Sequence, residues 1–263
     1  MSNPDAVIAA LRTGHDSLAA TVSSFAEGDL ARPSGASEWD ISQVLSHLGS
    51  GAEIARATLR AALDGEPPRG QDFMQSVWDR WNAMTRGDRA DGFLRSDEEL
   101  IALYESLDQD TRAGLRVDLG FLPAPVDLAT AGRLRLSELT LHAWDVRVAF
   151  DEHATLAPEA VRQLLHGEPD LTGWLGRPEQ LGGEHAVVRV TTSEPESEFA
   201  LRLSEQVSVD FDLPDKADGT LRLPAEAWLR LVAGRLAPRH TPEGIATTGA
   251  ADLDLLRRVF PGY

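Results

Sequence analysis

The apolar residues of this chain change their spacing part-way along. Over the first 150 or so positions they recur every three to four residues, the period of a helix lying on a core, whereas from about Val188 onward they alternate, the period of a strand with one buried face. A single layer cannot satisfy both periods. The chain is therefore expected to fold as a helical domain followed by a domain that contains a sheet.

In the first part, Val7, Leu11, Leu18, Val22 and Phe25 mark one face of a helix from Asn3 to Phe25, with Pro4 in its first turn. After the break "EGDLARPSGASEW", Asp40 with Gln43 three residues on forms the signature of a capping box and opens a second helix through about Leu63. "DGEPPRG" ends it. A third helical region combines Gln71 to Met84 with a stretch in which Ser96, followed by "DEEL", reads as an N-cap, with a break near Gly87. Beyond the proline-rich "GFLPAPVDL", a fourth helix is expected from about Thr130 to Phe150. Four such helices predict a bundle.

In the second part, "PEAVRQLLHG" reads as a short helix with proline near its start. Val188 and Val190, then Phe199, Leu201 and Leu203, then Val207, Val209 and Phe211 alternate with polar or small residues as half-buried antiparallel strands do. "GTLRL" adds a strand, and "PAEAWLRLVAGR" a helix from Pro224 to near Gly234. The expected organisation is a two-domain fold of class α plus α/β. Residues 1–152 form the four-helix bundle, and residues 153–263 form a smaller mixed α+β domain with a mainly antiparallel sheet.

Composition narrows the function. Lys and Arg total 25 against 42 Asp and Glu, a net charge of −17 that repels a phosphate backbone, and no basic stripe offsets it. Nucleic acid is not an expected partner. The absence of a basic leader and of any long apolar run points to a soluble cytoplasmic protein with no membrane partner; small molecules are the expected partners, and the sequence leaves monomer and homodimer both open. With no cysteine, the chain has no thiol nucleophile of its own.

One costly pair stands out in "SELTLHAWDVR": Glu138 and His142, four residues apart, share a helix face. His47 in "VLSHLGS" sits among Ile41, Val44, Leu45 and Leu48 and faces inward by the same periodicity. One histidine from one helix and a Glu/His pair from another would make a His₂Glu metal site with open positions. The donor set suits zinc, and also admits non-haem iron, nickel, manganese or cobalt.

With "SEWDISQVLSHLGSGAEIARATL" and "LRLSELTLHAWDVRVAF", the chain resembles the mycothiol-dependent maleylpyruvate isomerase family. The resemblance implies a DinB-like N-terminal bundle in which W-x-x-x-x-V-x-x-H-L supplies His47 and E-x-x-x-H-x-W-D supplies Glu138 and His142 as metal ligands. It also implies a sterol-carrier-like C-terminal domain. There "WLRLVAGR" is similar to the family's W-L-x-G-R segment, with two additional residues between Leu231 and Gly234, and the later G-D pair is replaced by "TGAAD". That similarity makes Arg235 the candidate catalytic and cofactor-binding arginine. The implied cofactors are a divalent metal, usually zinc, and mycothiol, a low-molecular-weight actinobacterial thiol. The implied chemistry is addition of the thiolate to the cis double bond of maleylpyruvate, rotation about the resulting single bond and elimination to the trans isomer, or, where the adduct is released, thiol transfer. A cation favours thiolate over thiol, so no protein base is needed.

Around this centre, Asp145 reads either as orienting a metal ligand through a hydrogen bond or as one half of a helix-face ion pair. Trp39, Trp78, Trp81 and Trp144 are expected to pack the core or wall the pocket. Arg56 and Arg60 read as surface charge or as a carboxylate rim, and Asn82 is a further candidate near the pocket. His15, His153, His166, His185 and His240 show no partner pattern. Two other functions fit the same residues: a non-enzymatic small-molecule or lipid binder with a structural metal, and a metal-dependent hydrolase.

Overall fold

The computed structural model describes residues 3–167 and 172–262. The chain divides into two compact units, Met1–Asp151 and Glu152–Tyr263.

The first unit contains α1 (Pro4–Ser23), the short α2 (Glu27–Leu30), α3 (Ile41–Asp64), α4 (Gln71–Asn82), α5 (Arg86–Ser106), the short α6 (Gln109–Gly114), a two-stranded hairpin of β1 (Arg116–Val117) and β2 (Val126–Asp127), and α7 (Leu128–Arg147). The local chemistry accounts for the starts of these helices. Asn3 accepts from the amide of Asp5, with Pro4 at the first helical position of α1. At α3, Asp40 Oδ1 accepts from the Gln43 amide at 2.9 Å and Gln43 Oε1 accepts from the Asp40 amide at 2.9 Å, the reciprocal box expected from the sequence. Gly65, with φ of 69°, ends α3 in the left-handed conformation that glycine adopts without steric cost. Asp127 caps α7.

The third helical region departs from expectation. The break expected near Gly87 is present, slightly earlier in the chain, but Ser96 is not an N-cap. The break is at Ala83–Thr85, where Thr85 Oγ1 accepts from the Asp88 amide and starts α5. Ser96 lies mid-helix and donates instead to the carbonyl of Gly49 on α3. The acids after Ser96 imitate a first turn, while the true cap is a threonine three residues before Asp88.

The long helices α1, α3, α5 and α7 form the bundle, and their directions follow from which residues meet. Val7 packs at Gly132 and Gly14 at Leu139, so α1 and α7 run the same way. Gly49 meets Ser96 and Arg56 pairs with Glu99, so α3 and α5 also run together. By contrast α1 opposes α5, through His15 with Asp97 and Arg12 with Glu105, and α3 opposes α7. Parallel α3 and α5 need a connection that returns the length of the bundle, which is what α4 supplies. Its Trp81 ring wedges against Gly49 and Gly92, where a Cβ at Gly49 would strike the indole, and its Nε1 donates to Glu53. Trp81 and Trp144 are core residues as expected; Trp39 and Trp78 are more than a third exposed.

The second unit contains α8 (Pro158–Leu164), the short α9 (Thr172–Leu175), β3 (Ala186–Ser193), β4 (Ser197–Leu203), β5 (Ser208–Asp210), β6 (Gly219–Pro224), α10 (Ala225–Val232), β7 (Ala246–Gly249) and α11 (Leu253–Val259). The sheet order is β5-β4-β3-β6-β7, antiparallel except where β3 and β6 run parallel. Register puts Val188 opposite Leu201 and Val190 opposite Phe199, aligning the buried positions of both strands on one face. Trp228 of α10 closes that face, 5.1 Å from the Phe199 ring and 6.4 Å from Phe260. The expected third strand is shorter than its alternation suggested: it ends at Asp210 and leaves Phe211 exposed. β7 and α11 were not anticipated, because "ATTG" is short, polar and exposed along its length. Among the described residues, no helix is long and apolar enough to cross a membrane.

Candidate metal centre

The inward face of α3 is set by Ile41, Val44, Leu45 and Leu48, none of which touches solvent. His47 lies at the margin of that face, with its side chain 37% exposed. On α7, almost every residue is buried, His142 among them, while Glu138 is half-buried. The antiparallel packing of α3 on α7 brings the three together. His47 Nε2 lies 2.7 Å from Glu138 Oε2, and His142 Nε2 lies 3.7 Å from the same oxygen. The two imidazole rings are 4.6 Å apart, edge to face.

These three side chains offer donor atoms that all lie within 4.8 Å of one another. Two donors each about 2.1 Å from a tetrahedral ion sit about 3.4 Å apart, so the cluster fits a divalent ion after small side-chain rotations. Two neutral imidazoles and one carboxylate also match the donor chemistry of such ions. Two of the three donors face solvent in part, which leaves a route for an incoming ligand.

The electrostatics match this geometry. Burial alone would push the Glu138 carboxyl up, but the hydrogen bond from His47, the electrostatic pull of the two neighbouring imidazoles and the nearby Arg135 guanidinium outweigh it and hold the pKa at about 2. Glu138 is thus a carboxylate at all ordinary pH. For His142 burial dominates and lowers the pKa, against the opposing pull of Asp145. The ring is kept neutral, the form that binds a metal.

Of the two readings of Asp145, the geometry has its carboxylate against the His142 ring. Its Oδ2 lies 2.8 Å from His142 Nδ1, and the carboxylate is wholly buried. A carboxylate only accepts, so Nδ1 carries the proton and the Nε2 lone pair is directed toward Glu138 and His47.

A loop not singled out by sequence completes the surroundings. Between Pro33 and Asp40, which pair as an isolated bridge, Ser34 holds the Trp39 carbonyl through its amide (3.0 Å) and hydroxyl (2.9 Å). Gly35 donates its amide to the Asp145 carbonyl at 2.7 Å. A Cβ at Gly35 would come to 2.9 Å from Asp145 Oδ1 and 2.7 Å from Val148 Cγ1, so the close approach requires glycine. The loop also places the Trp39 ring against both histidines, with ring centroids 5.4 Å from His47 and 6.1 Å from His142. The signal in "RPSGASEW" was a glycine between small residues, which by itself reads only as a break.

The other candidates of the first unit have different surroundings. Arg56 pairs with Glu99 at 2.8 Å, Arg60 is exposed further along α3, and Asn82 is exposed at the end of α4. Arg235 belongs to the second unit, where it is buried directly after Gly234 and donates from Nη1 to the Ala233 carbonyl. His15, which sequence left without a role, is buried against Asp97.

The family model of the mycothiol maleylpyruvate isomerase N-terminal domain matches residues 11–147, more than half of the 263-residue chain and all of the donor cluster. Among solved structures, the chain is similar to the crystal structure of a mycothiol-dependent maleylpyruvate isomerase, with a TM-score of 0.65 and 13% identity over 95% of both chains. A histidine-to-alanine mutant of that isomerase matches equally, with a TM-score of 0.65 and 13% identity over 95% of each chain. At such identity the likeness is one of fold. No curated protein matches the chain.

Proposed function

Since the chain belongs to the family defined by the mycothiol maleylpyruvate isomerase N-terminal domain, we propose that it is a metal-dependent cytoplasmic enzyme that uses mycothiol. It activates this low-molecular-weight thiol for addition to, transfer to, or cis–trans isomerisation of a small electrophile such as maleylpyruvate. The observation that carries this reading is the convergence of His47, Glu138 and His142 donor atoms within 4.8 Å at a half-exposed edge of the bundle.

In this reading His47, Glu138 and His142 hold one divalent ion, with zinc the first choice for two imidazoles and a carboxylate. Bound there, the ion supplies stabilisation of a thiolate over a thiol, the nucleophile that a cysteine-free chain lacks. Asp145 fixes the tautomer and direction of His142. Ionised Glu138 contributes the only negative charge among the three ligands, so the centre keeps a net positive charge that attracts thiolate and carboxylate groups. The Trp39 ring packs against both imidazoles and shields that side of the centre from water. Arg235 is proposed to bind the thiol cosubstrate and assist catalysis, on the strength of its place in "WLRLVAGR" and its burial.

The test is elemental analysis of the purified chain with turnover of maleylpyruvate measured with and without mycothiol. About one divalent ion per chain and thiol-dependent isomerisation are expected, both lost in His47→Ala and His142→Ala. Arg235→Ala is expected to keep the ion and weaken thiol binding. Full metal occupancy in the histidine variants would reject the ligand set. Turnover without thiol would point to hydrolysis by a metal-bound water instead.

A further inference from the structure

Arg135 lies one turn before Glu138 on α7, buried in the bundle. Its Nη2 donates to Asp97 Oδ1 on α5 at 2.6 Å and to the Leu48 carbonyl on α3 at 2.9 Å. Asp97 is fully buried, and its other oxygen lies 2.8 Å from Nδ1 of His15 on α1. One connected chain of polar contacts therefore reaches all four long helices. It touches α3 at the residue following His47 and α7 at the turn that leads to Glu138.

Stability does not account for this arrangement. A buried ion pair loses so much hydration that well-packed apolar residues of similar volume often replace it without loss, and in some proteins with gain. What the pair adds is direction. Apolar contact is non-directional and permits one helix to slide on another, whereas a guanidinium held between one carboxylate and one carbonyl fixes axial position. A slip of one residue is about 1.5 Å along a helix, while metal–ligand distances tolerate about 0.2 Å. The donor cluster spans two helices and thus needs a device of this kind.

We propose that Arg135 and Asp97 are positioning residues that lock the axial register of α3 against α7, and so set the distance of His47 from the Glu138–His142 pair. The proposal rests on the metal reading above. Its test is the combined Arg135→Met and Asp97→Leu variant, compared with wild type and with Leu59→Ala. Leu59 is buried on α3 more than three turns beyond His47, so its truncation loosens the core without touching the polar chain.

Zinc affinity is read by competition with a chromophoric chelator, coordination geometry by the visible absorption of the cobalt(II)-loaded protein, and fold by the thermal midpoint of the metal-free protein. The double variant should keep a midpoint close to wild type, the loss of the His15 partner being offset by the ion pair's removed desolvation cost, bind zinc at least tenfold more weakly and show an altered cobalt spectrum. Leu59→Ala should lose midpoint and keep both metal readouts. Wild-type zinc affinity and cobalt spectrum in the double variant, or an equal loss of affinity in Leu59→Ala, would overturn the proposal. If the double variant does not fold, Arg135→Met alone takes its place, since it removes the guanidinium that joins Asp97 to the Leu48 carbonyl and leaves Asp97 its His15 partner; unchanged affinity there would overturn the proposal equally. A wild-type protein that takes up no ion would overturn the metal reading and this inference with it, whereas wild-type uptake with unchanged variant affinity overturns this inference alone.

Discussion

His142 Nδ1 lies 2.8 Å from Asp145 Oδ2, with both side chains shielded from solvent. The carboxylate is three residues on from the histidine, so the same helical turn that presents the ligand also sets its tautomer. Replacing Asp145 by Asn keeps the shape but lets an amide donate to Nδ1, which favours the proton on Nε2, the atom aimed at Glu138. Asp145→Asn is expected to weaken zinc binding by about 10- to 100-fold while leaving the helical circular dichroism signal unchanged. Chelator competition checks it, and an unchanged affinity would show that His142 is oriented by packing alone.

Gly35 is held by its amide to the carbonyl of Asp145 and leaves no room for a methyl group beside Asp145 Oδ1 and Val148. In Gly35→Ala the loop or the carboxylate must move. A loss of about 1–3 kcal/mol is expected from overpacking, together with weaker zinc binding because Asp145 is displaced from His142. Urea unfolding of the metal-free protein measures the first effect and chelator competition the second. Loss of stability with full zinc affinity would confine Gly35 to the fold.

How much of this was legible in the sequence depended on distance along the chain. Glu138 and His142 share a helical face at four residues' spacing, and Asp40 with Gln43 encodes its own cap, so short-range periodicity was sufficient for both. Nothing local distinguishes Arg135 in "LRLSEL" from a surface arginine, because its partners Asp97 and Leu48 come from other helices. His15 and Asp97 are 82 positions apart and become a pair only when α1 packs on α5. Ser96 failed as a cap for the converse reason: the following acids satisfy the local pattern, but Thr85 had already started the helix. In the second unit alternation located β3 and β4, while the parallel pairing of β3 with β6 is a tertiary choice that alternation does not encode.

Asp97 also sets an acid limit on the bundle. Burial would raise its pKa, but Arg135 and the His15 hydrogen bond together hold it below the ordinary 3.8. With the folded value depressed, the unfolded chain binds more protons in the interval between that value and 3.8. The stabilisation is therefore fully present above 3.8 and is lost as pH falls through the folded value. Asp97→Asn leaves Arg135 buried without its counter-charge and is expected to cost about 3 kcal/mol at pH 7. The gap between wild type and variant should narrow once the pH drops below 3.8. Urea unfolding of both proteins across that range checks the sign, and a gap that stays constant would place the charge of Asp97 outside the stability of the fold.

An ion held by His47, Glu138 and His142 ties α3 to α7 in the folded state, and the unfolded chain cannot present the three donors together. By mass action, free zinc at about 100 times its dissociation constant should stabilise the first unit by about 2.7 kcal/mol. In His47→Ala one helix loses its ligand, and the remaining Glu138 and His142 sit on the same helix, so an ion bound there would bridge nothing. The thermal midpoint of wild type is therefore expected to rise with zinc and to fall back with chelator, whereas the midpoint of His47→Ala should be nearly insensitive to both. Differential scanning calorimetry over a zinc series makes the comparison, since the zinc-dependent transition reports the bundle directly. Equal responses in the two proteins would mean that zinc stabilises some other part of the chain, and His47 would lose its place in the ligand set.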